Sequence, residues 1–296
     1  MFCSYHWIMS LNEHKDTFAV DIPIAEVKQS AAYPNIKDIF RLFFVFLFYN
    51  IIFGLAMAGI LIFCDTYDIK SSSLKPFVTL VISIITMLVV IRYAKKKANR
   101  REQTHLKIKF DEVPLWLFPL LIISTLALIV GLERISDLIP MPDAVDKFFK
   151  KMFTTNFFSL IYLVIAAPIF EEILCRGIVL RGLLKNYTPR YAIVISAIFF
   201  AVLHLNPWQA LPAFFGGLFI GWVYYKTQSV IPGMIIHATI NSTAAVLLFS
   251  PEYQKDPLIL LGAPSYILLC ILASLILSAC CIIIHKKLPP VSAPFL

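Results

Sequence analysis

The chain reads as an all-α, polytopic membrane helix bundle of about eight transmembrane helices. Three observations predict this. Hydrophobic residues make up 59% of the 296 positions, against about half in a soluble domain. Mean hydropathy is +0.80. The apolar residues also gather into runs near the ~20 residues that a helix needs to cross a bilayer, rather than the alternating ~9–11-residue segments of a barrel strand.

In order, the apolar segments are 40–63, 76–93, 113–132, 156–184, 190–205, 208–225, 230–249 and 258–284. The fifth and sixth are short and meet at Asn206-Pro207, a turn signal, so they read as a helical hairpin. Residues 1–38 are mixed polar. They lack a basic stretch leading into an apolar core with a cleavage site, so no signal peptide is expected. This divides the chain into a polar segment 1–38, a transmembrane bundle 39–285 and a short tail 286–296.

The net charge of +8 does not indicate nucleic-acid binding, because no stretch between the spans is long enough for a basic soluble module. The basic residues instead sit in short loops beside spans, where they set orientation. Arg92, Lys95, Lys96, Lys97, Arg100, Arg101, Lys107 and Lys109 follow the second span, which places that loop in the cytoplasm. By alternation both termini are then cytoplasmic, with Arg181, Lys185, Arg190 and Lys226 on the same side. The cysteines have no repeating spacing and suggest neither a disulfide framework nor a zinc knuckle. Cys175 stands among charged residues and invites a nucleophilic reading, but a small buried thiol is the simpler one.

The functional signal is a set of polar residues within apolar helices: Glu171, Glu172 and Arg176 on the fourth, His204 on the fifth, His237 and Asn241 on the seventh. Each ionisable group costs roughly 2.5–3.5 kcal/mol at membrane depth on insertion scales, and such groups mark function by default. Glu171 lies 14 residues before Lys185, and His204 lies 14 after Arg190, each about 21 Å from the basic boundary. His237 and Asn241, 11 and 15 residues after Lys226, lie about 16 and 22 Å in. Three helices thus bring polar groups to one level, and Arg176 must be buried in protein. Glu172 and Arg176 are one turn apart and can pair, as His237 and Asn241 share a face. Glu171 is rotated about 100° from Glu172 and is left free. Pro168 is expected to kink this helix. Gly217 and Gly221 form a GxxxG spacing that permits close helix approach.

Hydrolytic chemistry needs an activated water and stabilisation of a developing negative charge. A carboxylate with imidazole and amide donors supplies both, and no Ser-His-Asp set can be placed on these helices.

The segments E-E-I-L-C-R, F-A-V-L-H and H-A-T-I-N resemble the three motifs of the CPBP family, the CAAX proteases and bacteriocin-processing enzymes also called Abi. The resemblance covers about residues 156–245 and is carried by the three motifs together, in order. It implies an intramembrane endopeptidase of the type II CAAX prenyl endopeptidase kind, acting on a membrane-associated or prenylated-type substrate in the cell membrane. Carried over, Glu171 would be the base, His204 its water-positioning partner, His237 and Asn241 the oxyanion donors, and Glu172 with Arg176 the supports.

Metal is left open by the residue types. Glu171, His204 and His237 could ligate Zn²⁺, but no H-E-x-x-H is present, and the resemblance favours no cofactor. Two other readings stand beside the protease. One is a non-catalytic scaffold or bacteriocin self-immunity factor of the same family. The other is a proton-coupled transporter, which would call for inverted repeats that the sequence does not display.

Overall fold

The computed structural model describes residues 32–67, 74–136, 138–145, 156–249 and 257–288; most of the expected 1–38 segment and 286–296 tail lie outside them. Among the described residues the chain forms eight principal helices: α1 Ile36–Thr66, α2 Leu74–Glu102, α3 Leu117–Ser136, α4 Phe157–Asn186, α5 Pro189–Leu203, α6 Pro207–Thr227, α7 Ile231–Phe249 and α8 Ala263–Lys287. Five of them, α1 to α4 and α8, are long and apolar enough to cross a membrane. The protein is a polytopic helical bundle.

Each helix begins and ends where local chemistry dictates. Asn35 opens α1 with a capping box: its side chain accepts from Asp38 N–H while the Asp38 carboxylate accepts from Asn35 N–H. Asn206 caps α6 by accepting from Gln209 N–H, and Pro207 occupies its first turn. The last apolar segment is broken at Gly262, whose φ of +73° favours glycine. A short helix, Pro257–Leu261, therefore precedes α8.

Polar contacts gather alternate helix ends at one end of the bundle. Arg101 of α2 is bidentate on Asp38 of α1, and Arg181 (3.0 and 2.9 Å) and Lys185 (2.7 Å) of α4 both grip Glu102. Asn186 donates to the Ala32 carbonyl at 2.8 Å. The α2–α3 connection tucks beneath: Lys109 O accepts from Val230 N–H and Asp111 O from Ser229 Oγ, both in the α6–α7 turn. Lys287, at the end of α8, lies over the ring of Trp116 just before α3. The start of α1, the end of α8 and the basic connection thus share one end, as strict alternation requires.

Two apolar cores result. One joins α1, α2, α4 and α5 around Leu42, Val90, Leu174 and Ile178; the other joins α3, α6, α7 and α8 around Leu121, Ile220, Ile236 and Ile284. The hairpin of α5 and α6 lies between them. A Cβ on Gly217 would sit 3.2 Å from Ala197 Cα, and one on Gly221 3.1 Å from Ile193. The GxxxG face therefore presses directly on α5. Large apolar side chains such as Phe40, Phe44, Phe48 and Leu55 of α1 are exposed, as suits a lipid-facing helix.

α4 departs from regular α geometry. Residues Tyr162–Ala166 and Ile173–Leu180 are wound as π-helix, on either side of the stretch containing Pro168. Local rewinding of this kind is one of the ways a helix absorbs the backbone donor missing at Pro168.

Candidate active site

The site is built on α4, the end of α5, and α7. Glu172 and Arg176, one turn apart, are completely buried and paired at 2.8 Å. Removing two charges from water is favourable only with good geometry and further hydrogen bonds. Several are provided. Arg176 Nη2 donates to Gly217 O at 3.2 Å, and its guanidinium lies 4.6 Å from the Phe200 ring centroid, a cation–π contact. Glu172 Oε1 also meets His237 Nδ1 at 3.2 Å. A carboxylate oxygen accepts, so Nδ1 carries the hydrogen. That fixes the ring and turns Nε2 toward Glu171, 3.9 Å from Oε2.

Glu171, Glu172, Arg176 and His237 therefore form one continuous polar chain. Its outer member differs from the rest: the Glu171 side chain is 24% exposed, against 6% for His237 and none for Glu172. Glu171 lines a cavity of about 280 Å³ between α1, α2, α4 and the end of α5, together with His204, Tyr162, Asn50, Ser83 and Thr86.

His204 lies at the very end of α5, as its C-terminal cap. Its Nδ1 is 2.9 Å from Phe200 O. Because a carbonyl only accepts, Nδ1 donates there and Nε2 retains its lone pair. Both imidazoles pack edge-on to the Phe200 ring, with centroids at 5.0 Å for His204 and 5.3 Å for His237. His204 and Glu171 line the same cavity without a direct hydrogen bond between them. Neither His237 nor Asn241 lines it. Asn241 instead reaches across to α4, where its Nδ2 donates to Leu163 O at 2.7 Å. Cys175 is fully buried in the first core and takes no part in the cavity.

Two neighbours escaped the sequence reading. A Cβ on Gly233 would fall 2.7 Å from Glu172 Oε2 and 2.9 Å from Ile220 Cγ2. Gly233 is thus the space in which the buried carboxylate sits. Its signal was its position one turn before His237, on the same face of α7. Tyr162 stands nine residues before Glu171, which regular α winding would place on the opposite face. The π turn at Tyr162–Ala166 slips that phase, so periodicity could not have found it.

No three His, Cys, Asp or Glu side chains converge closely enough to hold an ion among the described residues. Glu171, His204 and His237 are divided between the cavity wall and the protein behind it.

Residues 153–243 match the family model of Rce1-like type II CAAX prenyl endopeptidases. A stretch of 78 residues is 31% identical to the UPF0177 protein YxdF of Lactococcus lactis, covering 26% of this chain and 42% of that protein. Less than half of that relative's length is therefore spanned. No solved structure matches the chain.

Proposed function

We propose, from the Rce1-like type II CAAX prenyl endopeptidase character of residues 153–243, that this protein is an intramembrane endopeptidase. Its substrate class is a membrane-associated or prenylated-type peptide. The observation that carries the reading is the chain from Arg176 through Glu172 and His237 to a partly exposed Glu171 on a cavity wall. A buried support thus ends in a single carboxylate that solvent and substrate can reach.

In this reading Glu171 takes a proton from a water whose other hydrogen is held by the Nε2 lone pair of His204. The oxygen attacks the peptide carbonyl carbon, and the carbonyl oxygen gains the negative charge. His237, anchored through Nδ1–H on Glu172, is the ring placed to stabilise it. Glu171 then returns its proton to the amine as the C–N bond breaks. Asn241 spends one amide hydrogen on Leu163 O, and its second is the one available to the oxyanion. Each step as written is carried by these side chains and the water. The basic end of the bundle faces the cytoplasm, following the excess of Lys and Arg there.

The test compares peptide termini in membranes from cells expressing the wild-type protein or Glu171→Gln at matched levels. New termini found only with wild type are expected. Identical profiles with both proteins folded and inserted would overturn the protease reading in favour of a non-catalytic scaffold or self-immunity role.

A further inference from the structure

The carbonyl of Leu163 is orphaned by the local winding of α4. In a regular helix it would accept from Ala167 N–H, but that group turns back to Tyr162 O. In π winding it would accept from residue 168, which is proline and has no N–H. A backbone carbonyl without a partner is costly at membrane depth. The partner it finds is the Asn241 amide, at 2.7 Å from the facing helix α7.

We propose that Asn241 is a positioning residue: a clamp that replaces the backbone donor missing at Pro168 and so locks the π turn of α4 to α7. The clamp lies one turn beyond His237 on α7, and its target carbonyl lies eight residues before Glu171 on α4. It therefore sets the separation between the two helices that carry Glu171, Glu172 and His237. This inference deepens the protease reading and rests on it for its catalytic consequence, but the clamp itself is a statement about helix packing.

The distinction from a pure oxyanion donor is sharp. If Asn241 supplies a missing backbone donor, then restoring that donor makes the side chain dispensable for packing and leaves only the contribution of its second amide hydrogen to the oxyanion. Pro168→Ala returns an N–H to position 168, able to serve Leu163 O.

The experiment measures thermal melting in detergent and kcat and KM on a prenylated peptide for wild type, Asn241→Ala, Pro168→Ala and the double variant. Asn241→Ala is expected to lower the melting midpoint by roughly 2–10 °C, the consequence of one unsatisfied half-buried carbonyl, and to cut kcat about 100-fold through misplacement with little change in KM. Pro168→Ala alone melts within about a degree of wild type. The double variant regains most of the midpoint and at least ten-fold of the kcat. A double variant that melts no higher than Asn241→Ala and recovers no kcat overturns the clamp. Recovery of melting alone, with wild type itself inactive on peptides, sustains the clamp and overturns the protease reading.

Discussion

A single methyl group added at Gly233 is expected to disable the site from behind. The new Cβ would stand 2.7 Å from Glu172 Oε2, and ordinary contact begins at 3.4 Å, so the carboxylate must retreat by about 0.7 Å. Ile220, 2.9 Å away on the other flank, prevents α7 from simply rolling aside. Glu172 is also tied to Arg176 at 2.8 Å and His237 at 3.2 Å. A shift of that size at Oε2 disturbs the His237 contact at Oε1, which at 3.2 Å is already at the long end of a hydrogen bond. Overpacking of this kind costs ~1–3 kcal/mol, and a misplacement near 1 Å costs about 100-fold in rate. Gly233→Ala should therefore insert and accumulate, melt a few degrees lower, and lose about two orders of magnitude in kcat. The control is Gly131→Ala on α3, where a Cβ meets nothing within 4 Å; it should melt at or slightly above wild type, because alanine is the better helix former. Full activity in Gly233→Ala would refute the idea that the Glu172 carboxylate orients His237.

Three further outcomes are expected. Glu172→Gln leaves Arg176 buried without a counter-charge, at a cost of ~3–5 kcal/mol, and should reduce the amount of folded protein; the double variant Glu172→Gln/Arg176→Met should recover folding but not activity, as read by detergent melting and peptide cleavage. Chelators should leave cleavage unchanged, and an activity lost to chelation and restored by Zn²⁺ would contradict the metal-independent reading. A cysteine placed at Lys96 in a variant without its native cysteines should react with an impermeant maleimide only after cells are opened; labelling of intact cells would reverse the proposed orientation.

Much of the architecture was legible because membrane helices declare themselves by length and hydropathy. The expected segment 156–184 became α4 at Phe157–Asn186, and 190–205 became α5 at Pro189–Leu203. The pairing of Glu172 with Arg176 and the complete burial of Arg176 followed from i,i+4 spacing and depth alone. What spacing could not show was which imidazole faces which carboxylate. The resemblance made His204 the water-positioning partner of Glu171, and the two do line one cavity; spacing gave no sign that His237 also turns its Nε2 toward Glu171, at 3.9 Å. The reason lies in α4 itself. Counting residues at α pitch assumes i→i+4 winding, and two π stretches break that count, carrying Tyr162 into the cavity with Glu171. The partner of Asn241 was hidden for a related reason: a backbone carbonyl such as Leu163 O has no side-chain signature, and only the winding around it shows that it lacks a donor.

The central claim is that water activated at Glu171 cleaves a peptide bond. The most direct measurement uses purified protein in liposomes, given a prenylated peptide in water enriched in ¹⁸O, with the products read by mass spectrometry. The account predicts a new carboxyl terminus carrying one ¹⁸O atom with the wild-type protein and none with Glu171→Gln. Equal incorporation by both proteins would contradict it.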